Sequence, residues 1–213
     1  MKHIFALVFF ISIVGCVSSK KTGKQDGWIP LFDGKSMTGW KVNENDSTFA
    51  IEDGAIKVNG KVSHLFYDGP IMNHEFRNFE FKAKVMTRPG SNSGIYFHTV
   101  FKARGFPSKG YEVQVNNSHT DWRRTGSLYA VADVRELYTK DDTWFTEYIS
   151  VQGKRIIIKI NDSTVVDYTE PEGIETTKGR AEKRIGTGTF ALQGHDPNSK
   201  VFYKDIYVKP LPD

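Results

Sequence analysis

NSGIYFH, Asn92 to His98, predicts a β-strand, and GYEVQV, Gly110 to Val115, predicts a second strand after a loop. Side chains of a β-strand alternate between the two faces of a sheet. In the second segment this alternation places valine and tyrosine on one face and Glu112, Gln114 and Asn116 on the other. The pattern predicts a strand with one core face and one face rich in hydrogen-bonding groups.

The first segment has the same two-faced character. Ile95 and Phe97 share an apolar face, while Tyr96 and His98 share the opposite one. A solvated face is usually rich in Lys, Glu and Thr, whereas these two strands carry carboxylate, carboxamide, phenol and imidazole groups. We therefore expect the polar faces to form a binding or catalytic surface.

Short alternating runs bounded by Gly, Asn, Asp and Pro continue through the rest of the chain, and helical periodicity is poor after the leader. The predicted strands include Phe49 to Ile51, Ala55 to Val58, Phe79 to Met86, Glu147 to Gln152, Arg155 to Ile160, Thr164 to Tyr168, Thr189 to Gln193 and Lys200 to Leu211. Hairpin turns are predicted at Gln152-Gly153-Lys154 and Asn161-Asp162-Ser163. The pattern predicts an all-β fold, an antiparallel β-sandwich or jelly roll, in one domain over residues 27–213.

Two more segments present polar groups by the same alternation. TGSLY, Thr125 to Tyr129, adds Ser127 and Tyr129, and FALQGH adds Gln193 and His195. If these strands neighbour one another in one sheet, their polar faces form a single site.

The N-terminus predicts export and lipidation. Lys2 precedes an apolar run from Ile4 to Val14, which is shorter than the roughly 20 residues of a membrane-spanning helix. The following Gly15-Cys16 resembles the end of a bacterial lipobox, so we expect residues 1–15 to be a signal peptide and Cys16 to be lipidated. Residues 16–26 then form a tether, and the protein is expected in the bacterial cell envelope, periplasmic or on the outer membrane. The alternative is an ordinary secretory signal.

Charge and cysteine content exclude several classes. The formal net charge is +4, but four of the 29 basic residues and one of the 25 acidic residues precede Gly27, which leaves a domain of net charge +1. This balance, without a recognisable motif, gives no indication of nucleic-acid binding. Cys16 is the only cysteine, so an intramolecular disulfide is excluded.

Several of these segments together resemble the bacterial 3-keto-disaccharide hydrolase family. The resemblance rests on LFDGKSMTGW (Leu31 to Trp40), NFEFKAKV, NSGIYF, GYEVQV, TGSLY, FALQGH and VFYKDIYVKPL, in the family's order. It implies a concanavalin-like or laminin-G-like jelly roll with a concave face. It also implies action on sugars whose C3 hydroxyl is oxidised to a ketone, by hydrolysis or by elimination and hydration. Asn116 departs from the family's usual Asp, and His98 from its usual Arg.

The polar faces supply one obvious carboxylate, Glu112. A ketone at C3 acidifies the C2 proton, so one base and one acid are sufficient, and we assign these roles to Glu112 and His195. The substrate-binding candidates are Asn92, Tyr96, His98, Gln114, Asn116, Trp122, Tyr129 and Gln193, with Tyr96 and Trp122 expected to stack on a pyranose ring.

Other interpretations stay open at this point. Glu112 could pair with a sheet lysine, and His195 could cap the turn that it precedes. A divalent metal held by His98, Glu112 and His195 is a further option. The whole domain could also be a non-catalytic carbohydrate-binding module, since jelly rolls include both. Because the chain has no Gly-rich dinucleotide motif, a separate oxidoreductase is expected to make the ketone.

Overall fold

The computed structural model describes residues 26–174 and 183–213, which form two antiparallel sheets packed face to face. The described strands are β1 Ile29–Pro30, β2 Trp40–Val42, β3 Phe49–Glu52, β4 Ala55–Val58, β5 Ser63–Tyr67, β6 Phe79–Thr87, β7 Ser93–Thr99, β8 Tyr111–Val115, β9 Phe145–Gln152, β10 Arg155–Ile160, β11 Ser163–Thr169, β12 Thr189–Gly194 and β13 Val201–Pro210. Two short 3₁₀ helices span Asp46–Thr48 and Ile71–His74.

The larger sheet has the strand order β11-β10-β9-β6-β13-β4-β3, with β1 also paired to β13. Its long strands bury every second residue, as in β6, where Phe79, Phe81 and Val85 face the core. This regular alternation is the signature of a sheet with one face on the core and one in solvent.

The smaller sheet has the order β2-β5-β12-β7-β8. All residues of β5, β7, β8 and β12 are buried, so both faces of these strands are covered. The inner face packs on the larger sheet through Phe190, whose ring centroid lies 4.7 Å from that of Phe81 and 4.9 Å from that of Phe79. The outer face carries polar side chains and a cavity.

The prediction of an all-β antiparallel sandwich is confirmed. The structure contains the other predicted strands within a few residues at each end, and adds the short edge strands β1 and β2 and the buried strand β5. TGSLY is the exception: it forms no strand, because Leu128 makes only isolated bridges and the buried Ser127 hydroxyl donates to backbone carbonyls. Gly153 and Asn161 have φ angles of 58° and 53° at the two predicted hairpin turns. Cys16, the signal peptide and nearly all of the tether lie outside the described residues. No helix within the described ranges is long and apolar enough to cross a membrane.

Candidate active site

A cavity of about 310 Å³ opens on the outer face of the smaller sheet. Its walls come from β7, β8, β12, the residues that follow these strands, and the segment before β12. The lining residues are Asn92, Tyr96, Phe106, Pro107, Glu112, Gln114, Asp121, Tyr129, Lys183, Gln193 and His195. The alternation in three separate strands thus converges on one space.

Glu112 of β8 lies in the wall of this cavity and is only 8% exposed. The Gln193 side-chain amide donates to Glu112 Oε1 at 2.7 Å and to the Tyr96 hydroxyl at 3.0 Å. Burial raises the pKa of Glu112 to about 7, although hydrogen bonds from Tyr96 and Gln193 and the nearby charge of Lys183 oppose this rise. A carboxyl group with a pKa near neutrality can both accept and return a proton at physiological pH.

Gly94 provides the room for this carboxyl group. It pairs with Gln114 on the neighbouring strand, and a methyl group built on it would lie 2.4 Å from Glu112 Oε1. Since real Cβ atoms do not approach so closely, the Glu112 side chain occupies the space that a side chain at position 94 would need. The glycine of the NSGIYF segment therefore has a role in the site that alternation does not reveal.

A second hydrogen-bonded chain lines the cavity beside Glu112. Gln114 Nε2 donates to Asn92 Oδ1 at 2.7 Å, and Asn92 Nδ2 lies 3.3 Å from His119 Nδ1. The Asp121 backbone N–H also donates to His119 Nδ1, at 3.1 Å. Nδ1 of His119 is therefore the acceptor nitrogen, and Nε2 carries the hydrogen and acts as a donor.

His195 has the opposite arrangement. Its Nδ1 donates to Asp196 Oδ2 at 2.8 Å, and that oxygen also accepts from the Ser199 hydroxyl at 2.7 Å. The carboxylate fixes the imidazole orientation and leaves Nε2 as the nitrogen that can accept or deliver a proton. The ring centroids of His119 and His195 lie 5.6 Å apart.

The side-chain atoms of His119, His195 and Asp196 that could bind a metal ion lie within 4.8 Å of one another, a spacing that one ion could bridge. The hydrogen bonds argue against that use, because a neutral histidine whose Nδ1 accepts N–H bonds has no lone pair on Nε2. The cluster instead presents the Nε2–H donor of His119 and, in His195, an Nε2 that can accept or deliver a proton.

Tyr129 and Lys183 also line the cavity. The Tyr129 ring has the Arg123 guanidinium at 4.7 Å and Lys183 Nζ at 5.1 Å from its centroid. Asp121 is a second carboxylate in the wall, and its Oδ1 accepts the Arg123 backbone N–H at 3.0 Å. The cavity wall therefore combines two carboxyl groups, an imidazole and one cation, Lys183.

Beside the cavity, residues from the segment 100–109 cover another part of the outer face. Phe106 lies over His64 and Phe101 over Phe66, each pair with ring centroids 5.3 Å apart. Both sheet side chains are fully buried in consequence, and neither ring nitrogen of His64 has a hydrogen-bond partner among the described residues.

Comparisons with known proteins place this chain in a family. Residues 27–209 match the 3-keto-alpha-glucoside-1,2-lyase-like domain. The chain belongs to this family. A 3-keto-disaccharide hydrolase of Bacteroides thetaiotaomicron is 29% identical over 170 residues, which cover 67% of the present chain and 59% of that protein. The chain thus spans less than two thirds of the length of this curated relative.

Solved structures share the fold of this 3-keto-alpha-glucoside-1,2-lyase-like domain. A candidate glycosyl hydrolase from Parabacteroides distasonis superposes with a TM-score of 0.73 at 23% identity, covering 87% of this chain and 94% of the other. A carbohydrate-binding module from Bacillus subtilis superposes with a TM-score of 0.56 at 13% identity, covering 80% and 95%. The resemblance stated from the sequence segments is therefore confirmed for family and fold.

The structure brings together most of the predicted site residues. Five of the candidates that line the cavity lie on the three strands or directly after them, and Asn92 and Tyr129 join them from adjoining segments. The predicted residues that line the cavity are Asn92, Tyr96, Glu112, Gln114, Tyr129, Gln193 and His195. Tyr96 is only 5% exposed, so it offers its hydroxyl rather than the stacking face expected of it.

His98 lies elsewhere, contrary to the prediction that it shares the polar face with Tyr96. Its φ angle of 54° breaks the alternation of β7, and its ring packs against Phe79, with centroids 5.5 Å apart. Nε2 donates to the Arg77 carbonyl at 2.8 Å, and Nδ1 accepts from the Gly186 N–H at 3.2 Å. With both nitrogens used inside the protein, His98 does not join Glu112 and His195 in the predicted metal set.

Asn116 and Trp122 also lie outside the cavity wall. Asn116 is fully buried and uses its amide to hold the loop that follows β8, donating to the carbonyls of Asp121 and Arg123 at 2.8 Å each. Trp122 is 39% exposed, but the guanidinium of Arg135 lies 3.9 Å from its ring centroid. That face of the ring is therefore covered by arginine and is not open to a sugar.

Sequence reasoning missed Lys183, His119, Asp121 and Phe106. These residues lie in connections without strand periodicity, so alternation assigns them no direction. For His119 and Asp121 a weak signal existed, because they closely follow β8 in a segment dense in polar side chains. No comparable signal marks Lys183.

Proposed function

We propose that this protein is an enzyme that cleaves the glycosidic bond of sugars carrying a ketone at C3. The observation that supports this most is the buried Glu112, whose pKa of about 7 suits proton transfer, in one cavity with the His195–Asp196 pair. The family and the named relative agree with this substrate class.

In the proposed reaction Glu112 removes the C2 proton, and the electron pair moves to the C3 oxygen to form an enolate. When the enolate collapses, the C1–O bond breaks, and protonated His195 delivers a proton to the departing oxygen. The product is a 1,2-unsaturated 3-keto sugar, and addition of water at C1 completes net hydrolysis. Such positioned acids and bases contribute about 10²–10⁴-fold each.

The amide groups around Glu112 suit recognition of the sugar hydroxyls. Gln193 Oε1 has no hydrogen-bond partner among the described residues, and it lies beside the carboxyl group that Gln193 Nε2 contacts. A sugar hydroxyl is a natural donor to such an oxygen, since a buried unpaired acceptor is costly.

The first test uses a purified 3-keto-disaccharide and its unoxidised parent. We expect cleavage of the keto sugar alone, and we expect Glu112→Gln to reduce turnover by at least about 100-fold, since the amide cannot accept the proton. The exposed Glu136→Gln is the matched control and should keep full activity.

Three other outcomes would contradict this proposal. Cleavage of the unoxidised parent would indicate a paired-carboxylate glycosidase, with Asp121 as the second acid. Binding without cleavage of either sugar would favour a carbohydrate-binding module, which is what the Bacillus subtilis structure of the same fold is. Full activity of Glu112→Gln would remove Glu112 from the mechanism.

We also propose that the enzyme is anchored through Cys16 in the bacterial cell envelope and receives its substrate from a separate oxidoreductase. The support is the leader sequence, with Gly15-Cys16 after an apolar run, and the lack of a dinucleotide motif in the sequence. Metabolic labelling with a fatty-acid analogue should mark the wild-type protein in a lipidating bacterial host and leave Cys16→Ser unlabelled. Equal labelling of both would contradict the anchor.

A further inference from the structure

The proposed chemistry places a negative charge on the C3 oxygen, and neutral amides alone stabilise such a charge weakly. Among the described residues that line the cavity, Lys183 is the only lysine or arginine. A fixed cation directed at the oxygen where charge develops is among the strongest devices available to an enzyme.

Lys183 lies on the Glu112 side of the cavity. Its Nζ is 5.1 Å from the centroid of Tyr129, and the backbone N–H of Tyr129 donates to the Glu112 carbonyl at 2.9 Å. The positive charge of Lys183 also acts on the Glu112 carboxyl, where it lowers the pKa against the larger effect of burial. The cation and the proposed base therefore contact the same small volume.

The backbone after Lys183 is fixed by two consecutive amides. The Ile185 N–H donates to Glu170 Oε2 at 2.8 Å, and the Gly186 N–H donates to His98 Nδ1 at 3.2 Å. Glu170 Oε2 also accepts the Tyr111 hydroxyl at 2.5 Å, so the anchor reaches β8, the strand that carries Glu112. This explains what the buried His98 does: it positions the segment that brings Lys183 to the cavity.

We propose that Lys183 is a catalytic residue that stabilises the enolate oxygen at C3 by its charge, without a covalent bond to the ketone. The inference rests on the proposed function, because the elimination requires a base, an acid and a group that stabilises the enolate. Glu112 and His195 have the first two roles, and Lys183 is assigned the third. The recognised ligand is the oxyanion of an enolised 3-keto sugar.

The test isolates enolisation from bond cleavage. A 3-keto-1,5-anhydrohexitol has no leaving group at C1, so exchange of its C2 hydrogen in D₂O, followed by NMR, reports proton removal alone. We expect the wild-type enzyme to catalyse exchange, and Lys183→Met to lower its maximal rate by about 10²–10³-fold with a smaller change in KM. Lys183→Arg should retain part of the rate, and the exposed Lys35→Met should match the wild type.

The pH dependence of hydrogen exchange distinguishes an electrostatic role of Lys183 from a purely structural one. Removing a positive charge near Glu112 raises the pKa of its carboxyl, so the pH at which exchange reaches half its maximum should rise in Lys183→Met. Treatment of the wild-type enzyme and keto sugar with borohydride should leave no covalent adduct by mass spectrometry.

The outcomes separate this inference from the proposed function. Unchanged exchange in Lys183→Met, an effect on KM alone, or a trapped lysine adduct would overturn the assignment to Lys183 and leave Glu112 as the base. An absence of exchange and cleavage in the wild-type enzyme would overturn the proposed function itself.

Discussion

At the scale of single residues, two fully or nearly buried carboxyl groups have different surroundings. Glu112 faces the cavity and accepts a hydrogen bond from Gln193, whereas Glu147 of β9 lies in the core with both oxygens unpartnered among the described residues. Burial raises the pKa of both. Only Glu112 lines the cavity. We therefore infer that Glu147 lowers the free energy of unfolding and has no part in the proposed reaction.

Glu147→Gln should stabilise the protein at high pH. Because the folded-state pKa of Glu147 is raised above its ordinary value of 4.5, the folded protein retains a proton that the unfolded chain releases, and stability falls as pH rises above that value. The neutral amide has no such dependence. We expect the melting temperature at pH 8 to increase by at least about 2–4 °C, the change that 1 kcal/mol makes in a chain of this size.

Thermal denaturation of both proteins at pH 8 and at pH 4 measures this effect. The difference should shrink at pH 4, where the carboxyl group is protonated in both the folded and unfolded states. An equal difference at the two pH values would show that packing, and not ionisation, sets the effect of the substitution.

At the scale of elements, strands β7 and β8 together make the space for the proposed base. The pair Tyr96 and Glu112 lie directly opposite each other, and Gly94 leaves a gap across which the Glu112 carboxyl extends. The backbone at Gly94 has no positive φ, so the glycine is required for this close approach and not for its conformation.

Gly94→Ala should therefore displace the carboxyl group and leave the fold intact. A misplacement of about 1 Å costs on the order of 100-fold in rate, so we expect kcat on a 3-keto-disaccharide to fall by about 10–100-fold. The control is Gly90→Ala, where an added methyl group meets no atom within 4 Å but strains a residue with a φ of 74°. A loss of activity in Gly90→Ala equal to that in Gly94→Ala would attribute the effect to general destabilisation.

Strand alternation also explains how much of the site could be predicted from the sequence. Period-two patterning correctly directed Tyr96, Glu112, Gln114 and Gln193 to one face, because each lies within a regular part of its strand. It failed for His98, where the backbone enters the left-handed region, and for Asn116, which lies just past the end of β8. Periodicity is a property of regular backbone, so it carries no information beyond a kink or a strand end.

At the scale of the whole molecule, the fold class followed from local patterns, but the completed site did not. The sandwich requires only that each strand bury one face, and the alternation of apolar and polar residues indicates such a face in most of the predicted strands. The segment that carries Lys183 is held by Glu170, just after β11, and Glu170 in turn accepts a hydrogen bond from Tyr111 in β8. β11 and β8 are edge strands of opposite sheets. Contacts of this kind between distant segments have no local signature.

The segment 100–109, which covers part of the outer face, limits how a glycan can approach. A polymer lying along an open trough must enter at one end and leave at the other, but here Phe106 and Pro107 form a wall at one side of the hollow. A wall at that side favours entry by the terminus of a chain over entry by its interior. We therefore expect small glycosides and chain ends, never the middle of a long polysaccharide, to reach Glu112.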